Sequence, residues 1–347
     1  MTSAFRFRLR ALLFCAVFIG LYGTPLAAPG AEPRRYRIAT VAWAGWSPLH
    51  VAHEKGLWER LGLDVEVVDY DDPIVILEAM EAGRIDFAMD MAGSLVGVYM
   101  DGMPVVALAE TNWSHGGDRI IVRPGLSLRS HVGEAVGVFL NRPSCLYFLH
   151  LFLETRHLSV SDYRTVEINP EDMTAQFAVG RLPVIVSYDP WAREAMRRGN
   201  GVCLATSRDF EGCIPECLWT YADRLETIPP EDVRKVIQGW IHAVRWIRDP
   251  DHWPAYRDIL NRRTFRTRAP YDDPELRGLL GGVKIHDPDE LFERNRTGGG
   301  LYGYLRSVRT FLRDEGRLRR PYEVEDIFDN GIVMEALALE RETAPRE

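Results

Sequence analysis

Along residues 36–122, short β-branched apolar runs alternate with stretches whose apolar residues recur at helical spacing. RYRIATVAWAG is followed by SPLHVAHEKGLWERLG, where Leu49, Ala52, His53, Gly56 and Leu57 keep a period close to that of a helix and Gly62 supplies a stop. LDVEVVDY alternates as a strand does, and PIVILEAMEAG follows as a helix. IDFAMDM leads through Gly93-Ser94 into the helix LVGVYMDG, and PVVALAET is another strand. Four strands alternating with helices predict a parallel, helix-covered α/β sheet.

The pattern then restarts. RIIVRP and EAVGVFL read as strands, PSCLYFLHLFLETRHL as a long helix, and TVEINP and PVIVSY as strands leading into the helices EDMTAQFAVG and PWAREAMRRG. These make a second small α/β unit. From LWTYADRL onward the chain becomes mostly helical, with PEDVRKVIQGWIHAVRWIRDP a long amphipathic stretch expected to pack on the first unit. TGGGLYGY near residue 300 reads as a flexible turn, since no strand precedes it as a phosphate loop requires. LERETAPRE, residues 339–347, reads as a solvated tail.

The first residues change the picture. Arg6, Arg8 and Arg10 precede the apolar run Leu12 to Leu21, and Ala27, Ala28 and Ala31 follow it, the layout of a secretory signal peptide cleaved near residues 27–31. The run falls short of the ~20 apolar residues a membrane span needs. Cys15 follows Phe14 inside that run, where a lipoprotein site would carry a small residue, so no lipid anchor is expected. Export places the mature protein in the periplasm, where Cys145, Cys203, Cys213 and Cys217 allow one or two disulfides, their pairing open. No CxxC pair occurs, and Cys213 and Cys217 have no histidine pair nearby, so no metal site is expected. The 347-residue chain carries 42 Lys+Arg against 50 Asp+Glu, a formal charge of −8, and cleavage removes three arginines and no acids. A chain this acidic is no partner for nucleic acid.

Ligands of open α/β sheets lie beyond the carboxyl ends of the strands, where helix N-termini converge. Four junctions stand out: Ser47-Pro48, Gly93-Ser94, Arg142-Pro143-Ser144 and Asp189-Pro190. Proline is harmless near the first helical position, and Ser47 and Asp189 are good N-caps. Each could be an ordinary helix start. If the two units face each other, however, four sets of free backbone N–H groups line one cleft. Trp43 and Trp46 flank the first junction, Trp113 follows the fourth strand, and Tyr188 and Trp191 flank Asp189. Tryptophans in strand-to-helix loops suit a mostly apolar pocket, whereas Trp58, Trp240 and Trp246 sit on helix faces and read as core. His50 and His53 share a helix face, but without HExxH or a third ligand a packing or capping role fits better. No GxSxG, Walker or GxGxxG motif is present, and Asp90, Asp118 and Asp189 are not paired by spacing as general acid and base would be. No catalytic residue and no cofactor is therefore expected; the three aspartates serve capping and ligand contact.

The run WSPLHVAHEKGLW with LGLDVEVV resembles the start of mature substrate-binding proteins of ABC transporters, of the nitrate/taurine/sulfonate class related to the thiamine-pyrimidine binders. LEAMEAGRIDFA, MPVVAL, GGDRIIVRPG and VIVSYDPW resemble the same family in order, over roughly residues 36 to 330. The resemblance implies a two-lobed type II periplasmic binding fold, each lobe a small helix-flanked sheet, with a helical C-terminal segment. Lobe one would take residues 32–122 and 218–338, lobe two residues 123–217, with crossing segments near 121–125 and 215–221. It also implies ligand contacts at the Trp43 to Ser47 loop, Gly93-Ser94, Trp113-Ser114, the helix start from Arg142 through Ser144 to Cys145, and Tyr188-Asp189. His50, where relatives often have tyrosine, and Asp189, where many have glutamate, depart from the pattern.

The expected function is capture of a small molecule by hinge closure and delivery to an ABC permease in the inner membrane, the receptor acting as a monomer. Arg142 and the helix N-termini favour a sulfonate or carboxylate; the aromatics with Asp90, Asp118 and Asp189 favour an amine or heteroaromatic ring. Two other readings compete. A pyrimidine synthase related to the thiamine-pyrimidine binders would carry a CCCFC signature, missing here, and a Schiff-base lysine, whereas Lys55, Lys235 and Lys284 lie at no junction. A periplasmic sensor module would share nearly every feature of the transport receptor.

Overall fold

The computed structural model describes residues 34–139 and 143–343; the signal-peptide reading, Cys15 and Arg142 lie outside these residues. The chain lays down strands β1 (Arg35–Thr40), β2 (Asp64–Asp69), β3 (Phe87–Met91), β4 (Val105–Ser114), β5 (Asp118–Val122), β6 (Ala135–Phe139), β7 (Arg164–Ile168), β8 (Val184–Tyr188), β9 (Val202–Thr206), β10 (Pro215–Tyr221) and β11 (Val283–Ile285). They form two sheets. Sheet A has the order β11-β4-β10-β3-β1-β2 and sheet B the order β7-β6-β8-β5-β9.

Helices α1 (Ser47–Glu54), α2 (Pro73–Glu81) and α3 (Ala92–Met100) connect the strands of sheet A, and α4 (Pro143–Glu154), α5 (Pro170–Ala178) and α6 (Trp191–Gly199) those of sheet B. After β10 come α7 (Ala222–Thr227), α8 (Pro230–Arg248), α9 (Trp253–Ile259), α10 (Asp273–Leu280), α11 (Pro288–Asn295), α12 (Gly300–Asp314) and α13 (Gly331–Thr343). The expected α/β class with a helical C-terminal part is what the chain adopts. α8 packs on α1 and α13. At that seam Gly239 lets the helix approach Trp58, whose indole N–H donates to the Val236 carbonyl at 3.1 Å. Trp58 and Trp240 are core residues, as their helical spacing suggests. His50 bridges Asp69 at 2.6 Å and Thr264 at 2.9 Å, and His53 bonds the Val65 carbonyl, so both histidines tie the first helix to its surroundings.

Several elements differ from the sequence reading. β1, β2 and β3 are parallel, but β10 inserts between β3 and β4 antiparallel to both. Leu218–Tyr221, read as the start of the helical region, is therefore part of a sheet strand. All seven residues of β10 are buried, so it shows no polar alternation to mark it. β9 and β11 also escaped the periodicity. TGGGLYGY is a turn only to Gly299, and from Gly300 it is helix, its Leu301, Tyr302 and Tyr304 buried. The chain passes between sheets at residues 115–117 and 207–214, earlier than the expected crossings, because Asp118–Val122 pairs with β8 and β9. Ser114 and Ser207 tie the two crossings together through a 2.8 Å hydroxyl contact.

Candidate functional site

The parallel strands β1 and β3 of sheet A, and β6 and β8 of sheet B, direct their carboxyl ends toward one space. β5 and β10, being antiparallel, begin there. Register makes the convergence specific: Asp118 stands opposite Tyr188, Glu216 opposite Met91, and Cys217 opposite Asp90. The result is a cavity of about 420 Å³, open solvent at its mouth included, lined by Val41, Trp43, Trp46, Pro73, Asp90, Met91, Asp118, Phe139, Tyr188 and Glu216. Both sheets contribute walls, and aromatic faces dominate them. Trp43 meets Tyr188 edge to face at 5.9 Å, and Tyr188 meets Phe139 at the same distance. A Cβ on Gly117 would lie 2.4 Å from Trp43 Cη2, so glycine at the first crossing is what allows the indole its place.

Carboxyls form the polar part of the lining. The Trp43 indole N–H donates to Glu216 Oε2 at 2.7 Å, and Asn112 Nδ2 donates to the same oxygen. Burial pushes the Glu216 carboxyl up to about 8, reinforced by nearby Asp118, while the bonds from Asn112 and Trp43 pull it back. Burial likewise raises Asp118 to about 7; Ser114 and Arg119 act against the rise and Asp189 adds to it. Asp90 accepts from the Met91 N–H at 2.7 Å. Trp46 is also buried, and its N–H faces the Glu216 carboxyl and helps Asn112 and Trp43 hold that group's rise in check.

The structure brings together Trp43, Trp46, Asp90, Asp118 and Tyr188 of the expected site residues, and adds Glu216, Phe139, Val41, Met91 and Pro73. Others turn elsewhere. Ser47 is the first residue of α1 and not its cap, which is Trp46; its fully buried hydroxyl donates to the Ala44 carbonyl and contacts the Tyr256 hydroxyl, each at 2.6 Å. Asp189 is held by Arg119 at 2.9 Å and Arg193 at 2.8 Å, so its charge is matched inside the protein. It does not cap α6, whose N-cap is Pro190. Trp113 lies off the cavity, packed on His286 with the Arg294 and Lys284 cations over its ring. Ser114 accepts from the Asp118 N–H at the crossing. Gly93, Ser94 and Ser144 mark where the starts of α3 and α4 meet: a Cβ on Gly93 would fall 2.5 Å from Ser144 Oγ and 2.7 Å from Ser144 N. Ser144 bonds Tyr304 at 3.1 Å, and Ser94 is fully buried. No disulfide joins Cys203, Cys213 and Cys217, against the expectation of one or two bridges; Cys203, Cys213 and Cys217 carry free thiols.

Outside the cavity a wider mouth opens between Tyr70 and Asp71 on one side and Glu171, Trp191 and Glu194 on the other. Arg268 crosses it, stacking at 3.6 Å on the Trp191 ring and reaching Glu194 at 3.3 Å. Among the described residues, no helix is long and apolar enough to cross a membrane and no cluster of three or more His, Cys, Asp or Glu could hold a metal.

Known proteins share the fold that frames this cavity. Residues 141–260 match the NMT1-like family. A Brucella abortus protein, named for binding with no ligand given, is 27% identical over 322 residues, covering 91% of this chain and 96% of its own. The ligand-binding component of an ABC-type import system from Staphylococcus aureus, solved with zinc bound, superposes with a TM-score of 0.67 at 14% identity, covering 87% of this chain and 99% of that one. The nitrate-binding protein NrtA of Synechocystis PCC 6803 superposes at 0.65 with 17% identity, covering 89% of each chain. The alkanesulfonate-binding protein SsuA of Xanthomonas axonopodis pv. citri, bound to MOPS, gives 0.65 at 16% identity and covers 87% of this chain and 100% of that one. Residues 141–260 thus match the NMT1-like family in sequence, and the chain has the fold of the substrate-binding proteins of ABC importers, the nitrate and sulfonate class among them.

Proposed function

We propose that this protein is the solute-binding receptor of an ABC importer, capturing a small molecule in the cavity between the two sheets and presenting it to a permease in the inner membrane. One observation carries the reading: the aromatic cavity is built from strand ends of both sheets, so a ligand there touches both halves at once. The two sheets with their flanking helices act as lobes, joined by the crossings at 115–117 and 207–214. Closure about those crossings exchanges water contacts for contacts with both walls. Trp43, Trp46, Asp118, Phe139, Tyr188 and Glu216 make the contacts, with Asp90 at the edge of the same space. Cleavage of the signal peptide releases the receptor as a periplasmic monomer.

A thermal-shift screen of the mature protein, unfolded and refolded to strip any carried ligand, tests this. A ligand at a hundredfold excess over its Kd adds about 2.7 kcal/mol of stability. The same compound should do little for Trp43→Ala. Hits that stabilise both proteins equally would place binding elsewhere and sink the reading.

A further inference from the structure

We infer that the cavity selects a small organic cation bearing N–H groups, an amine or amidine on a single ring, which packs against the aromatic wall of Trp43, Trp46, Phe139 and Tyr188 and donates to the carboxyls of Asp118 and Glu216. This rests on the receptor reading above and names its cargo class.

The lining sets the sign. An anionic ligand needs donors, yet among the described residues the side-chain N–H donors of Trp43, Asn112, Arg119 and Arg193 beside this cavity have partners within the protein: the Trp43 N–H and Asn112 Nδ2 both serve Glu216, and Arg119 with Arg193 serve Asp189. The Trp46 N–H, buried on the same wall, also faces the Glu216 carboxyl. Acceptors are plentiful by comparison. Asp118 and Glu216 bring two carboxyls into a space walled by four aromatic rings, where the described neighbours place no lysine, arginine or histidine on the lining. Ionised carboxylates in such a place are costly unless a cation meets them. Ring faces attract the same cation, and more strongly once water is excluded.

The carboxyls also give the selection a pH signature. Asp118 faces Ser114, Arg119, Asp189, Cys213 and Glu216; Glu216 faces Asn112, Trp43, Trp46, Cys217 and Asp118. Both are protonated in mildly acidic solution, so a cation must displace a proton to gain a charged partner. Affinity should then rise with pH between 6 and 8, by up to about tenfold per pH unit for each carboxyl that ionises on binding.

The test is a calorimetric titration of the mature protein with three compounds of nearly one shape and different charge: benzamidinium, benzamide and benzoate. The inference expects benzamidinium to bind at least about tenfold tighter than benzamide, with an affinity that climbs from pH 6 to pH 8, and benzoate to give no heat. Glu216→Gln and Asp118→Asn should each narrow the gap between benzamidinium and benzamide. Should either variant fail to fold, the charge series and pH profile of the unaltered protein decide alone. Benzoate binding as tightly as benzamidinium, a flat pH profile, or silence from all three overturns the cation assignment. An anion that binds the unaltered protein but not Trp43→Ala would leave the receptor reading standing while removing this one.

Discussion

Glu216→Gln isolates what the buried carboxyl does to the ligand-free protein. Glu216 is fully enclosed and its carboxyl is raised from the ordinary 4.5 to about 8, chiefly by burial. Between those values the unfolded chain has released the proton while the folded protein still holds it. Folding therefore binds a proton, and stability falls as pH rises through this window. At about 1.4 kcal/mol per pH unit, the loss approaches about 5 kcal/mol by pH 8 as a ceiling. Glutamine keeps an oxygen to accept from Trp43 and Asn112 but has no proton to lose. The variant should match the parent near pH 5 and exceed it by several kcal/mol at pH 8, read as the difference between urea denaturation curves of the two proteins at each pH. Other titrating groups are shared and cancel in the comparison. A stability difference that stays constant from pH 5 to pH 8 would refute the protonated, buried carboxyl.

Other perturbations test the surrounding architecture. Gly93→Ala puts a Cβ against the backbone nitrogen of Ser144 and should cost about 1–3 kcal/mol, whereas Gly303→Ala, in a helix with open space around it, should gain about 0.5–1 kcal/mol; melting temperatures moving the same way in both would contradict the close approach. Arg294→Met strips a charge partner from the fully buried Glu110, which Arg294 Nε meets at 2.7 Å and His286 at 3.0 Å, and should cost about 3–5 kcal/mol. Adding Glu110→Gln to that variant should recover part of the loss in the same denaturation assay. Arg268→Ala removes the guanidinium that crosses the mouth onto Trp191 and Glu194, and stopped-flow fluorescence should show a bound ligand leaving about two- to fivefold faster, as loss of a partly exposed cation–π contact worth about 0.5–1 kcal/mol predicts.

Much of this arrangement was legible in the sequence because parallel strands with crossover helices write themselves in local periodicity. The βα grammar of residues 36–100 and 135–199 located the junctions, and with them Trp43, Trp46 and Tyr188. The remainder depends on pairing that no local pattern records. β10 lies between β3 and β4 only because the chain returns after passing through sheet B, and that return carries Glu216 into the cavity. The segment 213–221 has no strand signal other than being buried throughout. Asp189 and Ser47 show the converse for helix capping, since Trp46 and Pro190 hold the cap positions. Both sit where a cap or ligand contact is expected, but Arg119 and Arg193, distant from it or a turn away, take up the aspartate, and Tyr256 takes up the serine from more than two hundred residues on. Trp113 follows the same logic: it stands near the end of β4, where a ligand contact is expected, and packs against His286 with Arg294 over its ring, both supplied by the chain after β10.

The central claim, a small molecule held between the two sheets, is tested most directly by a crystal structure of the mature protein with the strongest screening hit that Trp43→Ala abolishes. The account predicts density in the space bounded by Trp43, Tyr188 and Glu216, touching residues of both sheets. A ligand ordered anywhere else on the molecule, with that cavity holding only water, would contradict it.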